Sequence, residues 1–193
     1  MEKRTYAIGI DPGQTGAIAI FQLDEGEYYL NSIFDYADKE LFIPVLREIS
    51  LIENCTSVCI ESVHSAPGQG VSSTFKFGAN FGWWIGVLDA LGYSYTLVTP
   101  QKWQGLLFKD FKDNIGQLKG STKEVSLTVA RNLFSRKYDT IGMFNRKKDH
   151  GRSDASLIGW YGILQLHWRY WNYLYWGATF MSWNDRTSFQ RHW

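Results

Sequence analysis

Four side chains of ligand type stand where a folded chain can bring them together. Asp11 follows an apolar run rich in Ile and Ala, and Glu61 follows a second apolar run over residues 56–60. His150 and Asp154 are four residues apart, so in a helix they share one face. Carboxylates are the oxygen ligands that Mg²⁺ prefers, and imidazole also suits Mn²⁺. The set therefore predicts a site for divalent cations.

Such a site has a well-defined chemistry. Two divalent ions about 4 Å apart can activate a water and stabilise the leaving oxygen of a phosphodiester. Each residue also has an ordinary interpretation: Asp11 as a turn residue before Pro12, Glu61 as a strand-end surface residue, and the other two as exposed helix residues. The four together, at the ends of the right elements, favour the metal site.

The turn at Asp11 allows a second interpretation. Its pattern, Asp-x-Gly-x-Thr-Gly over residues 11–16, also occurs where a hairpin holds phosphate in sugar kinases and actin-like ATPases. An ATP-binding phosphotransferase is therefore an alternative hypothesis. That class needs a second phosphate-binding hairpin, and no second Asp-x-Gly-x-Thr occurs in the 193 residues. The sequence favours the metal site over the ATP site.

The elements that must position these residues follow from hydrophobic periodicity and turn signals. We expect strands at residues 4–10, 15–23, 27–35, 56–60 and 93–98, and loops at 105–120 and 138–149. Helices are expected at about 41–52 and 74–91, from Thr99-Pro100 with proline at the first helical position, after the capping-box pattern at Ser121, and from about His150. This order predicts an α/β fold, a five-stranded mixed sheet with helices on both faces, as in the ribonuclease H architecture. Strands one and four then end side by side, which brings Asp11 and Glu61 to one edge.

Small residues form a stripe on the second predicted helix. Gly78, Gly82, Gly86 and Ala90 are spaced by four, so they share one face. Each glycine in a helix interior costs about 1 kcal/mol relative to alanine, which suggests that another backbone packs closely there. We favour close packing on the protein's own sheet, and a subunit interface is the alternative.

Charge and cysteine usage narrow the class of protein. The net charge of +1 gives no global signal for nucleic acid, so a DNA partner needs a local basic patch. Residues 146–152 supply one, although a solvated charge run is the alternative. Cys55 and Cys59 would point the same way in a strand, which predicts free thiols in a reducing compartment. No signal peptide, transit peptide or membrane-length apolar run is visible, so we expect an intracellular protein with no membrane partner.

Several segments together resemble the RuvC-type Holliday junction resolvases, in particular the branch found in bacteriophages and in the plant chloroplast. The resemblance covers roughly residues 5–165. The segments that carry it are Ile8-Gly9-Ile10-Asp11-Pro12-Gly13 with Thr15-Gly16-Ala17, Ile60-Glu61 with residues 68–78, Thr99-Pro100-Gln101-Lys102-Trp103, Lys123-Glu124-Val125-Ser126, and Lys147-Lys148-Asp149-His150-Gly151-Arg152-Ser153-Asp154-Ala155.

The resemblance implies a structure-specific endonuclease that makes paired symmetric nicks in four-way DNA junctions. It implies a homodimer, two Mg²⁺ or Mn²⁺ ions per active site and no nucleotide cofactor. If a bacteriophage encodes the chain, the protein would work in the cytoplasm of a bacterial host. A non-catalytic junction-binding protein and a general ribonuclease H are the remaining alternatives.

The resemblance also implies roles for individual residues. Asp11, Glu61, His150 and Asp154 would form the metal-binding catalytic set, and Lys123 would lie near the scissile phosphate. A loop over residues 68–77 would approach the junction. The side chains expected to contact DNA are Gln69, Ser72, Ser73, Phe75, Lys76, Lys147, Lys148 and Arg152.

Two points stay open at the level of sequence. Asp149 is adjacent to His150, and either side chain can face the metal, although the spacing to Asp154 favours His150. The resemblance assigns residues 1–167 to the resolvase domain. Residues 168–193 are a tryptophan-rich extension of unknown role.

Overall fold

A computed structural model describes residues 3–62, 70–134, 142–146 and 148–175, and the side chains of its last helix as far as residue 166. This part of the chain forms five strands and five helices. The strands are β1 (Thr5–Asp11), β2 (Ala17–Asp24), β3 (Glu27–Asp35), β4 (Asn54–Glu61) and β5 (Thr96–Val98). The helices are α1 (Lys39–Ile52), α2 (Val71–Ala90), α3 (Pro100–Asn114), α4 (Thr122–Phe134) and α5 (His150–Tyr175).

The strands form one mixed sheet in the order β3-β2-β1-β4-β5. Strands β1, β2 and β3 pair antiparallel, whereas β4 runs parallel to both β1 and β5. Ile10 of β1 lies opposite Ile60 of β4, so the two strands end at the same edge. The predicted fold class and the predicted pairing of strands one and four are confirmed.

Two hydrophobic cores cover the two faces of this sheet. One contains residues of α3, α4 and α5, including Trp103, Ala130 and Ile158. The other contains residues of α1 and α2, including Phe42 and Trp84. Alternate side chains of the strands point into opposite cores, as the pleat requires, and the sheet is buried on both sides.

Helix α3 corrects the predicted loop at residues 105–120. The helix continues to Asn114 because Trp103, Leu107 and Phe111 recur every four residues and are all buried on one face. Polar residues and Gly105 on the exposed face hid this periodicity. The capping box at the start of α4 is confirmed, since Ser121 and Glu124 exchange hydrogen bonds between backbone N–H groups and side-chain oxygens.

Helix α2 corrects two further expectations. It begins at Val71, so residues 71–77 of the expected junction loop are helical. A Cβ built on Gly78, Gly82 or Gly86 would meet no atom of the described residues within 4 Å. The stripe therefore does not pack on the protein's own sheet, and the favoured interpretation of these glycines is wrong.

A β-bulge in β4 corrects the expected orientation of the cysteines. Tyr6 pairs with Cys55 but Ala7 pairs with Ser57, so one residue of β4 is skipped. The skipped residue reverses the alternation, and Cys55 and Cys59 pack in different cores. Neither cysteine forms a disulfide with a described residue, as predicted.

Glycines allow α5 to lie directly on the β1–β2 hairpin. A Cβ on Gly9 would collide with the backbone of Ala155 and Gly159, and a Cβ on Gly151 would collide with the backbone of Thr15. The first turns of α5 are therefore held against the end of β1 by contacts between backbones. None of the helices within the described ranges has the length and apolar character needed to cross a bilayer.

Candidate active site

Asp11 is the last residue of β1, and the turn that follows holds its carboxylate. Gly13 donates its backbone N–H to Asp11 Oδ1 at 2.9 Å. Gly16 closes the turn, and a Cβ there would collide with the backbone oxygen of Asp11. Burial raises the pKa of Asp11 to about 6, against the opposing effects of the Gly13 hydrogen bond and the charge of Lys123. The hairpin therefore fixes a carboxyl group whose pKa lies well above the usual value for aspartate, although it is mostly ionised at neutral pH.

Glu61 is the last residue of β4 and lies on the same edge of the sheet. The indole Nε1 of Trp103 donates a hydrogen bond to Glu61 Oε1 at 3.0 Å. The pKa of Glu61 is raised to about 7, chiefly by burial and also by the charge of Asp11, whereas the Trp103 hydrogen bond lowers it. Glu61 and Asp11 are thus in electrostatic contact across the β1–β4 edge.

Asp154 lies in the second turn of α5, four residues after His150. Burial raises its pKa to about 8, with further contributions from the charges of Asp11 and Glu61. Ser126 of α4 lies close enough to lower this pKa, although its Oγ makes no hydrogen bond of good geometry. Three carboxylates from β1, β4 and α5 therefore share one electrostatic environment.

Besides Oγ of Ser126, two polar atoms of α5 at this edge have no hydrogen-bond partner within the described part of the chain. They are Oδ1 of Asp154 and Nδ1 of His150, and both are shielded from solvent. A buried polar atom without a partner costs free energy, so such atoms usually serve a ligand or a reaction. Lys123, exposed at the start of α4, adds a positive charge that lowers the pKa of Asp11 and Asp154.

The donor set suits a hard cation, but the side chains are not in chelating positions. Among residues 3–62, 70–134, 142–146 and 148–166, no group of three Asp, Glu, His or Cys side chains is arranged to hold a metal ion. The three carboxylates interact through their charges, and like charges repel unless a proton or cation neutralises them. The residue types nonetheless fit Mg²⁺ or Mn²⁺, because the carboxyl groups supply oxygen ligands and the unpartnered Oδ1 of Asp154 and Nδ1 of His150 have no hydrogen bond to a described residue to give up.

Asp149 and His150 have different surroundings, which bears on which of them faces a metal. Asp149 is buried and accepts hydrogen bonds from the backbone N–H and the Nε of Arg146, at 2.8 and 2.7 Å. Its backbone oxygen accepts the first hydrogen bond of α5, from Ser153. Asp149 is therefore occupied in holding the start of the helix, which leaves His150 as the candidate ligand.

The predicted basic patch is only partly available to DNA. Arg152 forms a bidentate ion pair with Asp35, with hydrogen bonds of 2.6 and 2.8 Å, and Arg146 reaches the same carboxylate at 3.6 Å. This pair joins the end of β3 to the start of α5 and lowers the pKa of Asp35. Lys148 is exposed. Lys147 lies outside the described residues, and DNA contact by Arg152 stays a prediction.

The other predicted DNA contacts lie at the start of α2. Ser72, Ser73, Phe75 and Lys76 are all exposed in its first two turns, and the side chain of Phe75 is 76% accessible. Gln69 lies outside the described residues. An exposed aromatic ring offers a stacking surface for a base, and the N-terminus of a helix beside it offers backbone N–H groups for phosphate.

Two residues beside the carboxylates were not predicted as site residues. Trp103 was missed because the loop assigned to residues 105–120 cut short the helix that begins at Pro100, which hid the four-residue spacing of Trp103, Leu107 and Phe111. Ser126 is fully buried on α4, four residues before the buried Ala130. A serine on the inward face of a predicted helix is the signal that would have found it.

The fold and the site define the general class, an α/β protein of the ribonuclease H-like type with three acidic side chains at one sheet edge. The structure resembles that of T. thermophilus RuvC in complex with a Holliday junction substrate. The TM-score is 0.51 at 14% identity, over 86% of this chain and 96% of that chain. A second structure, of Thermus thermophilus RuvC, gives a TM-score of 0.45 at 13% identity, over 84% and 95%. At these identities the likeness to the RuvC–junction complex establishes the fold.

A sequence relative points in the same direction. The chain is 29% identical over 92 residues to Holliday junction resolvase MOC1, chloroplastic, of Chlamydomonas reinhardtii. The alignment covers 48% of this chain and 9% of the relative's length. No known protein-family model matches the sequence. The predicted resemblance to the RuvC-type resolvases is confirmed by the sequence relative together with the structure of RuvC bound to a junction.

Proposed function

We propose that the protein is a metal-dependent endonuclease that resolves four-way DNA junctions by paired symmetric nicks. One observation carries the proposal: carboxylates from β1, β4 and α5 meet in one electrostatic environment, in the fold of a protein whose structure was solved with a Holliday junction. Asp11, Glu61, Asp154 and His150 form the proposed metal-binding set. Two findings support the four-way junction as substrate: the sequence relative is named as a Holliday junction resolvase, and the structurally similar RuvC was solved with a Holliday junction substrate.

The proposed metal ligands differ in whether a neighbouring hydrogen-bond donor orients them. Asp11 and Glu61 each have one oxygen held by an N–H donor, from Gly13 and Trp103, so the sheet edge presents two oriented carboxylates. Asp154 and His150 add the two unpartnered atoms from α5. Two Mg²⁺ or Mn²⁺ ions bound there would activate a water and neutralise charge on the scissile phosphate. Lys123 supplies a further positive charge toward that phosphate.

Electrostatics support a cation at this edge. The pKa values of Asp11, Glu61 and Asp154 are raised to about 6, 7 and 8, chiefly by burial, so ionising all three together is unfavourable. A divalent cation reverses this balance because it stabilises the ionised carboxylates. Rotation of the three side chains about their own bonds is what chelation would require, since the strands and α5 fix their backbones.

The start of α2 is the proposed contact for DNA near the cut. Ser72 and Ser73 offer small hydroxyl groups to phosphate, and Lys76 offers charge. Phe75 is positioned to stack on a base, since its ring is largely exposed. Lys148 is a further phosphate contact at the start of α5.

The open face of α2 is the proposed contact between two subunits. A homodimer places two active sites on opposite strands of the junction, which paired nicks require. Glycines spaced by four permit close approach of a second helix. Gly78, Gly82 and Gly86 are exposed, and no described atom lies where their Cβ atoms would be.

The test is cleavage of three substrates by the purified protein, each with and without Mg²⁺ or Mn²⁺. The substrates are a synthetic four-way junction, a linear duplex and an RNA–DNA hybrid. We expect metal-dependent paired nicks in the junction only. Asp11→Asn should lower cleavage at least about a hundredfold while junction binding persists. Asp24→Asn, which alters an exposed carboxylate at the far end of β2, is the matched control.

Each alternative gives a different pattern in the same assay. Preferential cleavage of the hybrid would select a ribonuclease H. Junction binding without cleavage in any metal would select a non-catalytic binding protein. Tight ATP binding would support the actin-like or sugar-kinase class. Normal cleavage by Asp11→Asn would overturn the assignment of the site.

A further inference from the structure

The indole of Trp103 is tied to the active-site edge by a single hydrogen bond. Its ring is fully buried, and Nε1 donates to Glu61 Oε1 at 3.0 Å. An indole N–H donates one hydrogen bond, accepts none and does not titrate. Trp103 can therefore orient the Glu61 carboxylate without competing for a cation.

The backbone around Trp103 makes this contact rigid. Glu61 of β4 pairs with Val98, the last residue of β5, and the N–H of Ser62 donates to the oxygen of Val98 at 2.8 Å. Helix α3 begins two residues after Val98, with Pro100 at its first position. The donor and the acceptor are thus carried by neighbouring strands and by the first turn of one helix.

The ring itself is held by packing. Trp103 belongs to the core on the α5 side of the sheet, and its ring meets that of Phe108 edge-on, with centroids 5.7 Å apart. A side chain locked on all sides keeps its donor aimed at one point in space. Such rigid support is what a carboxylate ligand needs from the residues behind it.

We propose that Trp103 is a positioning residue that holds Glu61 Oε1 and leaves Oε2 for the cation. The inference rests on the proposed function, because it assumes that Glu61 binds metal. The arrangement parallels that of Asp11, where the Gly13 N–H holds Oδ1. Both carboxylates of the sheet edge are oriented in this way, one by a backbone donor and one by an indole.

The test compares Trp103→Phe with Trp84→Phe. Both residues are fully buried, but Nε1 of Trp84 has no partner among the described residues, so its loss breaks no hydrogen bond there. Each substitution keeps an aromatic ring and removes one N–H. The measurements are Mn²⁺ affinity of the DNA-free protein by titration calorimetry, kcat on a saturating four-way junction, and junction Kd without metal.

For Trp103→Phe we expect Mn²⁺ affinity and kcat each to fall about tenfold, with junction Kd unchanged within about twofold. For Trp84→Phe all three quantities should stay within about twofold of the wild type. Equal Mn²⁺ affinity and kcat in the wild type and Trp103→Phe would overturn the positioning role and leave the proposed function standing. A wild type that neither binds Mn²⁺ nor cleaves the junction would overturn both.

A second measurement decides the matter if Trp103→Phe fails to fold. The chain has nine tryptophans, whose indole N–H signals can be followed in a ¹⁵N-labelled NMR spectrum. Glu61→Ala removes the acceptor, and we expect one indole signal to move upfield and to exchange faster with solvent. Asp24→Ala should move none of them. An indole spectrum unchanged by Glu61→Ala would overturn the inference.

Discussion

Helices α5 and α2 each carry three glycines, yet the two helices contact the rest of the molecule in opposite ways. Gly151 and Gly159 of α5 lie against the backbone of the β1–β2 hairpin, where a Cβ would collide. Gly78, Gly82 and Gly86 of α2 face no described atom within 4 Å of a built Cβ. Contacts between backbones fix α5, whereas α2 leaves a smooth open face.

The difference in packing matches a difference in chemistry. The α5 side of the sheet edge holds Asp154 close enough to Asp11 and Glu61 for their charges to interact, and the proposed metal site would need this geometry to be exact to fractions of an ångström. The α2 side of the sheet is apolar, with Trp84 stacked on Phe42 at a centroid distance of 5.1 Å. In the proposed function, α5 positions the reacting groups and α2 presents a surface to a second subunit.

The largest expected effect comes from adding a methyl group where β1 and α5 are in backbone contact. Gly9→Ala places a Cβ inside the backbone of Ala155 and Gly159, and neither backbone can move without displacing α5. We expect the free energy of unfolding to fall by more than about 3 kcal/mol, measured by urea denaturation. Gly105→Ala, at an open and exposed helix position, is the control. Similar stability of the two variants would refute the close backbone contact between β1 and α5.

The second prediction concerns pH and the buried charges on the α5 side. The folded-state pKa of Asp154 is about 8, chiefly through burial, and lies well above the value of about 3.9 for an unfolded chain. The folded protein therefore binds more protons between these values, and its stability falls as pH rises from about 4 to about 8. In EDTA we expect Asp154 to contribute about 3 kcal/mol to the loss between pH 5 and pH 8, in addition to the contributions of Asp11 and Glu61, whose pKa values are also raised.

Asp154→Asn isolates this contribution. The amide cannot ionise, so the variant should lose less stability over the same pH range and be more stable than the wild type at pH 8. Added Mn²⁺ should stabilise the wild type at pH 8 more than the variant, because ligands that bind only the folded state stabilise it. Asp24→Asn should follow the wild type. Identical pH profiles for the wild type and Asp154→Asn would contradict the buried-carboxylate site.

The sequence was sufficient to predict that Asp11 and Glu61 end neighbouring strands at one edge of the sheet, and the structure adds a charge interaction of both with Asp154 but, among the described residues, no chelating arrangement. Their positions follow from strand ends and helix periodicity, which are local patterns with a known geometric outcome. Trp103 was not predictable in the same way, because its role depends on a hydrogen bond between residues 42 positions apart. The direction of the α2 glycines was also not predictable, since spacing defines a face but not what that face meets.

The third prediction tests whether Arg152 serves the fold or the DNA. Its ion pair with Asp35 is bidentate and partly shielded, with 21% and 37% of the two side chains exposed. We expect Arg152→Gln to lower the free energy of unfolding by about 1 kcal/mol. Asp35→Asn should cost a similar amount, and the double variant should cost less than the sum. A large loss of junction affinity without any loss of stability would instead assign Arg152 to DNA.

The smallest expected effect lies on α2 and separates the two helices most sharply. Gly82→Ala adds a methyl group to an open face, and alanine favours the helix by about 1 kcal/mol over glycine. The isolated subunit should therefore become slightly more stable, the opposite sign to Gly9→Ala. If the open face joins two subunits through close contact of their backbones, the same methyl group must also weaken the dimer.

These two consequences are measured separately. Urea denaturation at low protein concentration reports the stability of the subunit, and sedimentation equilibrium reports the dimer dissociation constant. We expect Gly82→Ala to raise both quantities, whereas Gly105→Ala should raise only the first, because Gly105 lies on α3 away from the α2 stripe. An unchanged dimer dissociation constant in Gly82→Ala would mean that the α2 glycines have no role in self-association. The subunit contact would then lie elsewhere, and the open face of α2 would be left for another partner.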